Sequence, residues 1–343
     1  MRKLTKIETF AILSRGIPAY LRGYPTVVSL EMTHSCTANC NHCNRGGEVE
    51  GEKRIGPYGY HHLIKTLKPV ILQVSGGEPL LRDDLTDILR AMKPNGKHTP
   101  YIIVVTNGSL LTKEKYLDFR EAGMNQLSIS LCFPDKRHDE WRSFQGLYDH
   151  LNKLVPKLAS LGHNDIVINS TITNENMPHI MDLVRTAERW GVSISFSAYS
   201  ILRTKERRYT IEKPEDLLKL RCQLDKLKEY KKRNCGHILN ADFTIEGTYE
   251  FFKNQEIKGC NAGRHFLVIT PDGYLKPCSM HDQRYTSLDE IHREFVPNNN
   301  CGSCYVSIRS YLDNSLVGLL WQYLANHSFG PRKREKPVLN SYL

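Results

Sequence analysis

Three cysteines in the run Cys36-Thr37-Ala38-Asn39-Cys40-Asn41-His42-Cys43 are separated by three and then two residues. That spacing suits a 4Fe-4S cluster left one ligand short. A cubane has four irons, and a cluster that only shuttles electrons takes a thiolate on each, so three close cysteines leave one iron open to a substrate or cofactor. A zinc knuckle would want paired CxxC units or histidines at its own spacings. A second set comprises Cys260, Cys278, Cys301 and Cys304. Four thiolates can close a second cluster or hold a structural zinc, and the ligand types are the same for both. Between the first two of them, Pro271-Asp272-Gly273 reads as a hairpin turn that brings Cys260 and Cys278 together.

The elements that must position these residues follow a regular rhythm. Strands are expected at Thr26–Met32, Pro69–Ser75, Tyr101–Thr106, Gln126–Leu131, Asp165–Ile172 and Val192–Ala198, each rich in Val, Ile, Ser or Thr. Between them lie amphipathic stretches at Leu85–Met92, Lys113–Ala122, Leu147–Leu161 and Met177–Trp190, with apolar residues three and four apart. Strands alternating with helices predict a parallel sheet with right-handed crossovers, hence an α/β fold. In parallel barrels chemistry gathers at the C-terminal strand ends, and the cysteine loop follows the first strand there.

The cysteine loop, followed some thirty residues on by Ser75-Gly76-Gly77-Glu78-Pro79-Leu80, resembles the radical S-adenosylmethionine (SAM) superfamily. The resemblance implies a partial (βα)6 TIM-like barrel over roughly residues 24–203, with a 4Fe-4S cluster on Cys36, Cys40 and Cys43 whose open iron chelates SAM. It implies contacts to SAM from Gly76, Gly77, Glu78 (the ammonium) and Pro79 after the second strand, and from Asn107 at the end of the third. Ser130 matches a family serine at the ribose, Arg142 an arginine at the SAM carboxylate, and Asn169 on the fifth strand is a weaker candidate. His42 takes the place of an aromatic residue that packs on adenine. Sheet serine and surface arginine are the plain alternatives for Ser130 and Arg142. The second cysteine set resembles the auxiliary-cluster region called SPASM or twitch. Only four cysteines are present, which suggests a single, fully ligated second 4Fe-4S cluster. A structural zinc site is the competing reading.

Two further residues invite a role. By period-2 alternation Ser128, Ser130 and Cys132 point to one side of the fourth strand, so Cys132 faces the barrel mouth if Ser130 faces SAM. Cys132 could return a hydrogen atom to a substrate radical, or be an ordinary buried small hydrophobe. Glu31 ends the first strand out of phase with Val28, Leu30 and Met32, and could be a substrate ligand, a base or half of a structural ion pair.

Composition agrees with an enzyme of this kind. The 343 residues predict one large domain with a smaller appendage. The expected division is an N-terminal helix at 1–23, the barrel at 24–203, a charged helical connector at 204–255 and an auxiliary-cluster region with a C-terminal helix at 256–343. No apolar run approaches the roughly 20 residues of a membrane span. Lys6, Glu8 and Arg15 break any signal-peptide core, and ten cysteines without a secretion signal predict a cytoplasmic, reducing setting. Forty-seven basic against 37 acidic residues leave a charge of +10, which favours acidic or phosphorylated partners. The absence of a recognisable RNA-binding module argues against nucleic acid. Amphipathic, basic-flanked helices near both ends (Leu4, Ile7, Phe10, Leu13, Ile17; and Leu312, Leu316, Leu319, Leu320, Tyr323, Leu324) can lie peripherally on an anionic bilayer, but packing onto their own domain is the preferred reading.

The lead expectation is net oxidation, a dehydrogenation in which the substrate radical hands an electron to the second cluster. The spacing from Cys260 to Cys304 most resembles dehydrogenases of sugar or cyclitol alcohols. The family also implies a low-potential electron donor such as flavodoxin or ferredoxin. A small-molecule or lipid-linked substrate ranks above a peptide, because only a helix-sized segment precedes the first strand. A molybdopterin-type cyclase ranks lower because the tail Ser341-Tyr342-Leu343 lacks a diglycine end. Redox-neutral epimerisation through Cys132 and carbon-carbon bond formation are the alternatives, and a non-catalytic Fe-S or zinc protein is the rival outside enzymes.

Overall fold

A computed structural model describes residues 4–93 and 99–315, together with Gly318. The chain opens with α1 (Lys6–Leu21), whose first turn is closed by a reciprocal capping box between Thr5 and Glu8. Six strands follow: β1 (Val27–Glu31), β2 (Ile71–Ser75), β3 (Tyr101–Thr106), β4 (Gln126–Ser130), β5 (Ile166–Ile172) and β6 (Ser193–Ala198). Between them lie α2 (Pro57–Leu67), α3 (Leu85–Met92), α4 (Lys113–Glu121), α5 (Arg137–Arg142), α6 (Leu147–Ala159) and α7 (Ile180–Arg189). The fold is the α/β, parallel-sheet architecture of the partial-barrel type, each strand lying within its expected span. The Met177–Trp190 stretch begins as a 3-10 turn over Met177–His179, with Pro178 in the first turn, and continues as α7.

Beyond β6 come α8 (Pro214–Arg233), α9 (Asp242–Asn254), the hairpin β7 (Phe266–Ile269) and β8 (Leu275–Lys276), the short α10 (Leu288–Glu290) and α11 (Ser307–Leu312). The hairpin forms about Pro271-Asp272-Gly273 as its turn residues require. Its partner was not legible beforehand: β7 pairs in parallel with β1, giving one sheet of order β6-β5-β4-β3-β2-β1-β7-β8. Pairing satisfies a β1 edge that would otherwise expose its ladder groups. The C-terminal region also reaches the far edge, where Ala198 N–H donates to Tyr305 O (3.3 Å) and Ser307 N–H to Ser197 Oγ (3.1 Å).

Strand alternation divides the sheet into two unlike faces. Val28, Leu30, Leu72, Val74, Ile102, Val104, Leu127 and Ile129 have no exposed surface and form one core with the helices. The register places Ser29, Glu31, Gln73, Ser75, Ser128, Ser130 and Asn169 together on the opposite, polar face. The Ser29 and Ser75 hydroxyls meet there at 3.1 Å.

On α1, Leu13 and Ile17 are half-buried, but Ile7 and Phe10 stay 63% and 73% exposed, so packing onto the domain covers only part of its apolar face. Of the expected C-terminal helix, Leu312 is buried in α11. Leu316, Leu319, Leu320, Tyr323 and Leu324 lie outside the described residues.

Candidate active site

The loop carrying the first three cysteines is clamped by backbone bonds. Cys36 N–H donates to Gly47 O (2.8 Å), while Asn39 and Asn41 N–H donate to Arg142 O and Trp141 O at the end of α5 (both 3.0 Å). Asn107, just past β3, donates through Nδ2 to Thr37 Oγ1 at 2.9 Å. One N–H then points at each sulfur: Asn107 Nδ2 at Cys36 (3.7 Å), Arg142 Nη1 at Cys40 (3.5 Å) and the Arg45 amide at Cys43 (3.4 Å). Burial, opposed by Arg142, raises the Cys40 thiol to about 11, and the other two cluster cysteines and Cys132 push it the same way. Thiols so crowded resist ionising unless a cation joins them, and N–H donors suit them as thiolates. Among the described residues no three His, Cys, Asp or Glu side chains converge at the spacing of a single metal ion. A four-iron cluster, whose ligands stand farther apart, does not require that spacing. The N–H donors at all three sulfurs suit them as cluster thiolates.

Gly76-Gly77 packs against the start of this loop. Gly77 N–H donates to Thr33 O (2.6 Å) and Glu78 N–H to Ser35 O (2.9 Å). Gly76 sits at φ +131°, and a Cβ on Gly77 would run into the Ser35 carbonyl. The close approach these glycines permit is thus to residues 33–35 of the cysteine loop, where an approach to a ligand was expected. Glu78 is fully buried and accepts from Leu80 N–H (3.1 Å), Thr106 Oγ1 (2.7 Å) and Asn107 N–H (2.8 Å). Burial raises its pKa against those three bonds. Pro79 begins the short turn Pro79–Leu81 that Glu78 caps.

Arg142 is buried and bridges two sulfurs, Nη1 at Cys40 and Nη2 at Cys132 (3.4 Å), with its Nε among the buried atoms lacking a partner. Cys132 follows β4, its N–H donating to His138 Nδ1 (3.1 Å) and its carbonyl accepting from Asn176 Nδ2 (3.0 Å). His42 accepts from the Trp141 indole at 2.7 Å through Nδ1, which fixes the tautomer with its proton on Nε2. Burial and the Arg142 charge push the His42 pKa down to about 3. Ser130 and Asn169 are register partners on β4 and β5.

Glu31, 3% exposed, accepts through Oε2 from His34 Nε2 (3.0 Å) and Arg45 Nη2 (3.4 Å). Burial opposes its ionisation, but the His34 bond and the charges of Arg45, Lys276 and Arg203 outweigh it and hold the carboxyl below its usual range. Arg45, Lys276 and Arg203 were not foreseen as neighbours of Glu31, because they come from a loop, from β8 and from the segment after β6.

The second set is also gathered. Burial pushes the Cys278 thiol up to about 12, with Cys304, Cys260 and Cys301 adding to it. Met280 N–H donates to Cys278 Sγ (3.2 Å), and Arg309, 5% exposed and paired with Asp313 at 2.7 Å, reaches Cys304 Sγ at 3.9 Å. His281 lowers the Cys301 pKa through a side-chain hydrogen bond. Cys222 and Cys235 are exposed on and beside α8, apart from both sets. A small pocket lined by Tyr116, Asp165 and Gly191 lies at the N-terminal end of β5, away from these residues.

A parallel α/β sheet bearing a three-cysteine loop and a Gly-Gly-Glu-Pro turn at its C-terminal strand ends defines a class of enzymes built around an open-iron cluster. Residues 30–187 match the model of the Radical SAM superfamily, so the chain carries a Radical SAM domain. It is 25% identical over 311 residues to the AdoMet-dependent heme synthase of Oleidesulfovibrio alaskensis, covering 81% of this chain and 79% of that one. It is 26% identical over 281 residues to a probable GTP 3',8-cyclase of Methanococcus aeolicus, covering 79% and 91%. In fold it is similar to Streptococcus suis SuiB bound to its precursor peptide SuiA, with a TM-score of 0.63 at 16% identity over 87% of this chain and 72% of that one. The family implies a 4Fe-4S cluster and SAM. No described helix is long and apolar enough to cross a membrane.

Proposed function

We propose that this radical SAM enzyme carries out a net oxidation, removing a hydrogen atom, a proton and an electron from a substrate held on the polar face between two clusters. Bound together, the first cluster and SAM supply a 5′-deoxyadenosyl radical able to take hydrogen from an unactivated C–H bond. Cys36, Cys40 and Cys43 hold that cluster, with Asn107, Arg142 and the Arg45 amide steadying the sulfurs. Glu78 spends three of its four lone-pair positions on the protein and offers the last to the SAM ammonium. Ser130 and Asn169 present hydroxyl and amide to the ribose, and neutral His42 offers its ring beside the adenine. Cys260, Cys278, Cys301 and Cys304 hold a second 4Fe-4S cluster that accepts the electron, and ionised Glu31 takes the proton. A low-potential flavodoxin or ferredoxin resets the first cluster.

The observation that carries this reading is the β7–β8 hairpin, which pairs with β1 and so brings Lys276, two residues before Cys278, onto the face that holds Glu31. It supports a single chamber shared by the two cysteine sets. Anaerobic reconstitution tests it: about eight irons per chain are expected, with a reduced-cluster electron paramagnetic resonance signal that shifts on adding SAM, and 5′-deoxyadenosine formed under dithionite. Four irons, or a zinc ion in the second set, would overturn the oxidative reading; an unmoved signal would overturn SAM cleavage itself. The contact of the Cys132 sulfur with Arg142, beside Cys40, keeps a second reading, redox-neutral epimerisation with Cys132 as hydrogen donor.

A further inference from the structure

Lys276 is a mostly buried residue, 6% exposed, and among the described residues its Nζ makes no hydrogen bond and no ion pair. Burial lowers its pKa, and Glu31 and Asp282 oppose that shift without reaching ion-pair distance. The strand register says where it points. Lys276 on β8 pairs with Val268 on β7, which pairs with Ser29 on β1, so its side chain rises from the same polar face as Ser29 and Glu31.

Around it the charges do not balance. Glu31 is the carboxylate on this face, and Arg45, Arg203 and Lys276 all act on it. Its hydrogen bonds fall on Oε2 alone among the described residues. Arg203 has no carboxylate partner among the described residues; its Nη1 rests 3.4 Å from the Asn44 amide oxygen. Glu52 is engaged by Thr33, the His34 amide and Arg54, while Asp282 acts on Lys276 from beyond Cys278. Three cations thus face Glu31, with Asp282 as a second carboxylate at the Lys276 end.

We propose that Lys276, Arg45 and Arg203 form a seat for a carboxylate group of the substrate, set against Glu31 between the two cysteine sets. The proposal rests on the oxidative reading above and gives its substrate a chemical class. The seat fixes the anionic end, so the carbon to be oxidised lies toward SAM.

Succinate and its uncharged diamide, succinamide, serve as matched probes on the reconstituted, SAM-loaded protein. Unpaired spin on the reduced clusters broadens the proton resonances of any molecule held near them. Succinate is expected to broaden saturably and succinamide not at all. Lys276→Gln should weaken the succinate effect at least tenfold, Lys276→Arg should largely restore it, and Glu31→Gln should strengthen it. Equal broadening by the two probes, or an unchanged succinate effect in both Lys276→Gln and Arg45→Gln, overturns the seat. So does a Lys276→Gln protein that loses SAM affinity in calorimetry while keeping the succinate effect, since the cations would then serve SAM. A shift in the second cluster's potential with no change in succinate binding likewise overturns it, assigning Lys276 to the cluster. Iron content and 5′-deoxyadenosine yield, measured on the same samples, separate this failure from failure of the underlying function: SAM cleaved without carboxylate preference removes the seat alone.

Discussion

Arg142 joins Cys40 to Cys132, its Nη1 3.5 Å from one sulfur and its Nη2 3.4 Å from the other. A planar guanidinium holds its donors in a fixed fork on separate nitrogens, whereas an ammonium carries three rotatable donors on one nitrogen of a flexible stem. Arg142→Lys is therefore expected to weaken retention of the first cluster by about 10- to 100-fold, the range typical of lost outer-shell partners. Iron release under a chelator, followed for each cluster by absorbance and paramagnetic resonance, checks this. Equal release from wild type and variant would show that the fork does not steady Cys40.

The glycine pair can be tested by a methyl group. Gly77→Ala places a Cβ against the Ser35 carbonyl, and overpacking of this kind costs about 1–3 kcal/mol. Chemical denaturation of the apo-protein should register that loss, and iron incorporation at the first site should fall with it. Gly56→Ser, where a Cβ meets nothing within 4 Å and Ser suits the N-cap of α2, is the control expected not to lose more than about 0.5 kcal/mol.

Removal of the second cluster should separate cleavage of SAM from completion of the reaction. Cys278→Ala is expected to halve the iron content, retain 5′-deoxyadenosine formation under dithionite and abolish the oxidised product. Product formed at the wild-type rate by this variant would remove the second cluster from the electron path.

Cys132 distinguishes oxidation from epimerisation. Under the oxidative reading Cys132→Ala still turns over, with solvent deuterium absent from recovered substrate. Loss of turnover with 5′-deoxyadenosine still released, together with deuterium incorporation by wild type, would instead identify Cys132 as a hydrogen donor.

Glu31 makes stability depend on pH in one direction. Its folded pKa lies below the unfolded value of about 4.3, so its contribution is complete above that pH and drains away as the pH falls through the lower, folded value. Glu31→Gln should cost about 1–3 kcal/mol at pH 7, where it removes the carboxylate that Arg45 and His34 pair with. The gap between variant and wild type should close toward pH 3 in denaturant titrations. A gap that widens on acidification would contradict the lowered pKa.

Local order was largely readable in the chain itself. Periodicity of two and of three to four placed all six parallel strands and four of the helices between them, α2 and α5 being missed, because side-chain burial imposes those periods before any long-range contact is chosen. The Cys36–Cys43 loop and the Gly76-Gly77-Glu78-Pro79 turn were equally legible, since their chemistry is written in consecutive residues. Period-2 alternation also put Glu31 out of step with Leu30 and Met32, and in the folded chain it is buried on the polar face.

Pairings between distant segments were not legible. Sequence alone set no partner for β7, and only the assembled sheet put it beside β1, where it carries Lys276 onto the face of Glu31. Trp141 under His42, Arg142 between two sulfurs and Arg309 against Cys304 were likewise decided by the fold. Spacing within one segment fixes which atoms lie close along the chain, and so the sequence determined the three-cysteine loop and the strand-helix rhythm. Which charges face one another depends on how edges pair and on how much burial each arrangement gains, and that balance exists only in the folded chain.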